Sequence, residues 1–268
     1  MKRAKGIGLP DVQAVYSGPE GDLWELIMGR QIHIGGFKSS MDLAEKAGIG
    51  KGMKGVDLCC CNGAGMRFLI RFRGVEKMTG VDATDKVVER GKKYTSEEGL
   101  SDKIHFVKAE VTKTGLPSGE ACFVWGEDAW CYVEDKDALI GESARLIAPG
   151  GKIAFTDWIE GPKGISDAEA ERYMKFMKFP NILNIDDYSG LLRKYGCDVD
   201  KAEFTGRFAP HVDLYLNMID KQLTYDALKI INFDMNMMNS LAQEMQFMQG
   251  LAHDGKIEQG LFVAHKKK

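Results

Sequence analysis

The densest run of chemically capable residues in this 268-residue chain is Val56-Asp57-Leu58-Cys59-Cys60-Cys61-Asn62-Gly63-Ala64-Gly65. An acidic residue closing a buried strand, followed by a turn of small residues into a helix, lets a ligand approach the backbone. A Cβ would block that approach, which is why glycine is useful there. About twenty residues past the turn, a second apolar run ends in Gly80-Val81-Asp82, where a carboxylate can accept hydrogen bonds from both hydroxyls of a ribose. The turn is not GxGxxG and offers no second phosphate cradle. With Asp82, that favours a nucleoside ligand over a dinucleotide.

The other cysteines are Cys122, Cys131 and Cys197. On an extended strand Cys59 and Cys61 point one way and Cys60 the other, so one ion cannot easily take all three. No C-x2-4-C pair with a distant second pair exists, so no metal is expected, and the thiols read as small buried hydrophobes. A thiolate at a helix N-terminus would have a lowered pKa, which keeps reactivity towards alkylating agents in play.

These residues need elements to hold them. Short apolar runs at 56–60, 78–82, 104–107, 121–125 and 152–157 read as strands. They alternate with helix-period stretches such as 137–147, where Ile140, Ala144 and Ile147 share a face. Strand, helix, strand in repetition predicts a doubly wound α/β fold with a mostly parallel sheet of seven strands. Pro149-Gly150-Gly151 is expected to end the helix before the fifth strand. Ser166-Asp167-Ala168-Glu169 reads as a capping box opening a helix towards Pro180, and Asp186-Asp187 can start another that Gly196 ends. Strands at 197–204 and 260–265 would then flank a helical cap over 211–252. Its stripe of Met238, Leu241, Met245 and Met248 serves either helix packing or a plastic roof over a ligand. The division expected is a ligand-binding α/β core over 1–160 and the rest of the sheet plus cap over 161–268, within a single domain.

Composition limits the partners. Thirty-six Lys and Arg stand against 39 Asp and Glu, a formal charge of −3, whereas chains that hold nucleic acid or anionic membranes carry a basic excess. No stretch reaches the ~20 apolar residues needed to cross a bilayer. The first residues lack the apolar region of a secretory signal, so reduced thiols in a cytoplasm are the simpler expectation. A small-molecule substrate follows, with a homo-oligomer left open.

The order Asp57-Leu58-x-Cys60-x-x-Gly63, Gly80-x-Asp82 and Arg145-Leu146-Ile147-Ala148-Pro149-Gly150-Gly151 resembles the class I S-adenosylmethionine-dependent methyltransferases. Gln31-Ile32-His33-Ile34-Gly35, Trp125-Gly126-Glu127-Asp128-Ala129-Trp130 and Phe155-Thr156-Asp157 resemble, within them, the sarcosine/dimethylglycine N-methyltransferase group. The resemblance implies a cofactor, S-adenosylmethionine, with Asp57 near its methionine part. Cys59, Cys61 and Gly63 would back the sulfonium ligand, Asp82 would hold the ribose, and Ala109 and Glu110 would border the adenine. Glu127 would sit where donor and acceptor meet, and His33 in the lid. The family loop carries glycine where this chain has Cys59 and Cys61, and an aspartate where it has Ala109.

The implied reaction is methyl transfer to a small acceptor, foremost an amine of the glycine/sarcosine type. A thiol, a phosphobase or a carbon acid is the alternative, as is a protein that binds the nucleoside without transfer. A nicotinamide dehydrogenase would want a glycine-richer first turn. Glu127, Asp128 and His33 are the candidate bases. Trp130 and Tyr132, at the carboxyl edge of the sheet, are candidates to line an acceptor pocket, and Arg207 and His211 to grip an anionic group.

Overall fold

The computed structural model describes all 268 residues. A two-residue strand, β1 (Lys2–Arg3), precedes helices α1 (Leu9–Ser17), α2 (Pro19–Met28) and α3 (Gly36–Ala47). The alternating core follows: β2 (Lys54–Leu58), α4 (Ala64–Arg73), β3 (Lys77–Asp82), α5 (Asp85–Glu97), β4 (Ile104–Lys108), β5 (Ala121–Glu127), α6 (Lys136–Leu146) and β6 (Ile147–Glu160). Then come α7 (Asp167–Met177), β7 (Asn181–Ile182), α8 (Ile185–Lys194), β8 (Cys197–Phe204), α9 (Phe208–Lys221), α10 (Thr224–Ile230), α11 (Met235–His253) and β9 (Ile257–Lys266). Seven strands form one sheet in the order β4-β3-β2-β5-β6-β9-β8, parallel except where β9 runs antiparallel to both neighbours. The order reverses between β2 and β5, so the crevice where open α/β sheets take ligands lies above Asp57 and Glu127.

The expected strands are all present, most of them longer at one or both ends. The helix over 137–147 is α6, started by the Asp135 side chain, which accepts from Ala138 N at 2.9 Å. Pro149-Gly150-Gly151 does not end that helix. β6 already begins at Ile147, and the three residues are absorbed where its register against β5 shifts between Ala121 and Phe123. The box at Ser166 and Glu169 forms as expected. α8 is started not by the aspartate pair alone but by Asn184, which accepts from Asp187 N at 2.8 Å.

The 211–252 cap resolves into α9, α10 and α11, so His211 lies inside α9 rather than before it. The methionine stripe serves packing. Met245 and Met248 are buried with Tyr173, Phe208 and Tyr215, while Met238 and Leu241 pack around Leu23 of α2. No residue of α9, α10 or α11 lines the main cavity. Of the two readings the stripe allowed, packing is therefore the one observed, and the cavity is covered instead by residues of α1 and the 30–33 segment. Helices α1 and α2 are strapped to the core by Arg90, which forks to Asp22 at 2.7 Å and Glu25 at 2.6 Å, and by Gln13 donating to Ala83 O at 2.8 Å.

On the other face of the sheet, Phe155 is stacked between Trp130, with ring centres 4.1 Å apart, and Phe262 at 4.6 Å. All three are fully buried and tie β6 and β9 to the turn after β5. Phe155→Ala is expected to lower unfolding free energy by about 3–5 kcal/mol in denaturant titrations.

Candidate functional site

β2 delivers Asp57 to the crevice and then turns sharply. Cys59 (φ 63°) and Cys61 (φ 47°) both lie in the left-handed region that side chains rarely adopt. Backbone bonds hold them there: Cys59 N and Cys60 N donate to Val81 O at 2.9 and 3.2 Å, and Cys61 N donates to Asp82 Oδ2 at 3.0 Å. The other Asp82 oxygen accepts from Thr84 N at 2.9 Å. The carboxylate is thus fixed at the mouth of the turn with lone pairs to spare for a ligand.

The turn ends in Gly63, the left-handed cap of α4, where a Cβ would fall 2.6 Å from the Phe106 ring. At Gly65 a Cβ would fall 2.7 Å from Glu127 Oε2, 3.2 Å from Trp125 Nε1 and 3.4 Å from Asp57 Oδ2. Trp125 Nε1 is itself buried without a hydrogen-bond partner. Two carboxylates and an unsatisfied N–H therefore converge on backbone that only glycine leaves open. Burial, then the charges of Glu127 and Asp82, push the Asp57 carboxyl well above the usual carboxylate range, with no hydrogen bond opposing them. A cationic ligand would reverse that shift.

Above this floor is a cavity of about 860 Å³. It is lined by Asp57, Cys59, Cys61, Asp82, Glu110, Glu127, His33, Asp128 and Tyr132 among the residues expected from sequence. Burial pushes the Cys59, Cys60 and Cys61 thiols upward, reinforced by Asp82, so the lowered thiolate pKa expected of a helix N-terminus does not arise. No cluster of three or more His, Cys, Asp or Glu side chains is arranged to hold a metal ion.

Two acidic residues fasten the lid. Asp128, itself at φ 51°, accepts from Ile34 N at 2.8 Å and from Gln259 Nε2 at 2.9 and 2.8 Å. Glu127 Oε1 accepts from Ser40 Oγ at 2.6 Å, and His33 Nε2 lies 3.2 Å from that hydroxyl and 3.3 Å from the carboxylate. Glu127 and His33 are therefore one linked pair facing the cavity. Both Asp128 oxygens are occupied by the lid and by β9.

The structure takes five sequence candidates away from the cavity wall. Trp130 is core: its Nε1 donates to Leu58 O at 3.2 Å and its ring lies on Phe155. Arg207 is paired with Asp42 at 2.5 Å and with Ser39, bracing α3 from outside, and His211 Nδ1 sits 2.8 Å from Arg207 O. Neither is free to hold an anion in the cavity. Gly63 acts beneath the surface by admitting Phe106, and Ala109 continues the ladder by donating its N–H to Asp82 O at 3.2 Å.

Other wall residues had no sequence signal. Tyr16 of α1 donates its hydroxyl to that of Tyr132 at 3.1 Å across 116 positions of chain. Lys136 is buried at the same wall, and Arg30 stands at the rim. Ser40, seven residues after His33, could have been paired with it only by knowing that α3 starts at Gly36.

A methyltransferase-domain family model matches residues 56–155. The sterol 24-C-methyltransferase of Eremothecium gossypii is 30% identical over 117 residues, 44% of this chain and 31% of that protein. The match spans between 30% and 39% of the length of the sterol enzymes. The 27-O-demethylrifamycin SV methyltransferase of Amycolatopsis mediterranei is 24% identical over 202 residues, 70% of this chain and 74% of that one. Among solved structures, a Galdieria sulphuraria protein provisionally described as a sarcosine dimethylglycine methyltransferase superposes with TM-score 0.82 at 19% identity, covering 96% of this chain and 98% of that chain. A phosphoethanolamine N-methyltransferase 2 of Haemonchus contortus, solved with S-adenosylmethionine, superposes with TM-score 0.82 at 18% identity over 98% of this chain and 61% of that one.

Cys61→Gly keeps the N–H that bonds Asp82 while removing the side chain from a left-handed residue. It is expected to leave stability unchanged or to raise it by up to about 1 kcal/mol in thermal or denaturant unfolding. A clear loss would show that the thiol packs indispensably.

Proposed function

The chain carries a methyltransferase domain on the class I fold, and from that premise we propose that it transfers the methyl group of S-adenosylmethionine to a small amine of the glycine/sarcosine type. The observation that carries this reading is the pair of carboxylates, Asp57 and Glu127, meeting around Gly65 beside a ribose-ready Asp82. That combination suits a nucleoside with a cationic tail. Glu110 and the floor thiols of Cys59 and Cys61 would complete the cofactor contacts.

The bound sulfonium supplies an already activated methyl group. What the protein does is align. α1 and the 30–33 segment, the latter pinned through Ile34 by Asp128 and Gln259, would wall the crevice and hold donor and acceptor in line, and alignment of that kind lowers a barrier by several kcal/mol. Tyr16 and Tyr132 would line the acceptor end. Glu127, linked through Ser40 to His33, is placed to take a proton from an acceptor amine that arrives charged. We assign Asp128 to holding the lid, because its oxygens are already filled.

Binding without transfer is the second reading, favoured by the side chains at Cys59 and Cys61 where the resembling family has glycine. A screen of amines, thiols, phosphobases and phenols with methyl-labelled cofactor, read by mass spectrometry of the products, decides between the two. Label in an amine product supports the proposal, whereas tight cofactor binding without labelled product supports the second reading.

Asp82→Ala is expected to weaken S-adenosylmethionine binding by at least ~1 kcal/mol in calorimetry, through loss of charge-assisted bonds to the ribose. Unchanged affinity would remove Asp82 from the site. Asp57 adds a pH dependence. Its carboxyl is held protonated to higher pH in the free protein and would ionise against a bound cation, so binding should release a proton and tighten as pH rises. Calorimetry in buffers of different ionisation enthalpy reads that proton, and Asp57→Asn should abolish it.

A further inference from the structure

Lys136 opens α6 and is buried at the wall of the main cavity. Its ammonium donates to Cys131 O at 3.3 Å and to Val133 O, the carbonyls on either side of Tyr132. An ammonium has three N–H donors, so one is left over. None of its hydrogen bonds goes to a carboxylate. Asp135 is engaged in capping α6, and Asp137 is engaged with Lys194 and Tyr195. Asp157, its strongest countercharge, takes the Cys131 N–H at 2.9 Å and the Tyr188 hydroxyl at 2.5 Å.

Burial pulls the Lys136 ammonium down to about 8, opposed by the charge of Asp157. A buried cation lacking a directly paired anion is costly, a cost that an anionic ligand would offset. The other cations on the wall, Arg3 and Arg30, are exposed at its rim, while acidic side chains dominate the remainder.

Resting on the amine-methylation reading above, we propose that Lys136 anchors the carboxylate of an amino-acid acceptor, leaving its amine towards the hydroxyl pair of Tyr16 and Tyr132. The ammonium reaches the carbonyls flanking Tyr132, so an anion held by it and the Tyr132 hydroxyl share one stretch of the cavity wall. A doubly charged phosphate would meet the acidic wall with only this one buried cation to offset it, which favours a carboxylate.

The test offers sarcosine, sarcosinamide (its counterpart uncharged at the carboxyl) and phosphoethanolamine to the full chain. Binding is measured by calorimetry with S-adenosylhomocysteine present, and turnover with S-adenosylmethionine. Sarcosine should bind at least about tenfold more tightly than sarcosinamide. That preference should collapse in Lys136→Gln, which keeps an N–H donor for the turn carbonyls but no charge, and should persist largely in Lys136→Arg. A purely structural lysine would instead lower thermal stability and weaken both ligands equally, overturning the proposal. So would sarcosine that fails to bind, or phosphoethanolamine that binds more tightly than sarcosine. If Lys136→Gln does not fold, Lys136→Met is measured in its place with the same expectation, and a wild type that shows no preference for sarcosine overturns the proposal. Lys136-dependent binding of sarcosine without any methylated product would leave the anion site standing and remove the transfer reading.

Discussion

The Asp128 carboxylate is the joint on which the site depends. It sits at a left-handed residue directly after β5 and holds the lid through Ile34 N and the C-terminal region of the sheet through Gln259. Hydrogen bonds to a buried charge contribute about 1.5–3 kcal/mol each, more than a neutral pair. Gln259 completes the arrangement by also donating to Ile34 O at 3.2 Å, so both backbone groups of Ile34 are used. The rest of the attachment is apolar packing, such as Leu23 of α2 against Ala227 and Ile231, with partly exposed ion pairs such as those of Arg90 that are weak individually.

One residue earlier, Glu127 performs the complementary task. Both border the cavity, but the Asp128 oxygens are taken up by Ile34 and Gln259, while Glu127 meets Asp57 across Gly65. Adjacent residues on a strand point to opposite faces, and the positive φ at Asp128 redirects the chain where the strand ends. The result is an acidic cavity set in a protein whose overall charge is nearly balanced. The local field favours cations even though net charge conveys almost nothing about it.

The sheet could be read from sequence because each strand is a short apolar run bounded by turn residues, and α6 because its apolar positions repeat at helical spacing. The floor of the site was equally legible, since Asp57, the cysteine turn and Asp82 are local in sequence. Its wall was not. Tyr16 reaches Tyr132, and Gln259 reaches Asp128, over more than a hundred positions, and nothing in the periodicity of either segment encodes the partner. Arg207 and His211 looked free because a sequence does not show Asp42 opposite the one or that the other turns back onto the Arg207 carbonyl. Trp130 looked like a pocket aromatic because it follows a strand end, yet its indole N–H found the Leu58 carbonyl and its ring found Phe155. The methionine stripe was legible as an amphipathic face but not as to which neighbour it covers.

The clamp that unites residues 34, 128 and 259 has a kinetic corollary. Contacts this distant along a chain must await closure of long loops, as must the pairing of β9 with β6 that brings Gln259 into place. A folding chain would therefore pass through forms in which much of the sheet is paired while the crevice still gapes. Gain of ligand affinity during refolding should trail the recovery of secondary structure, so that binding competence marks the arrival of the finished tertiary state.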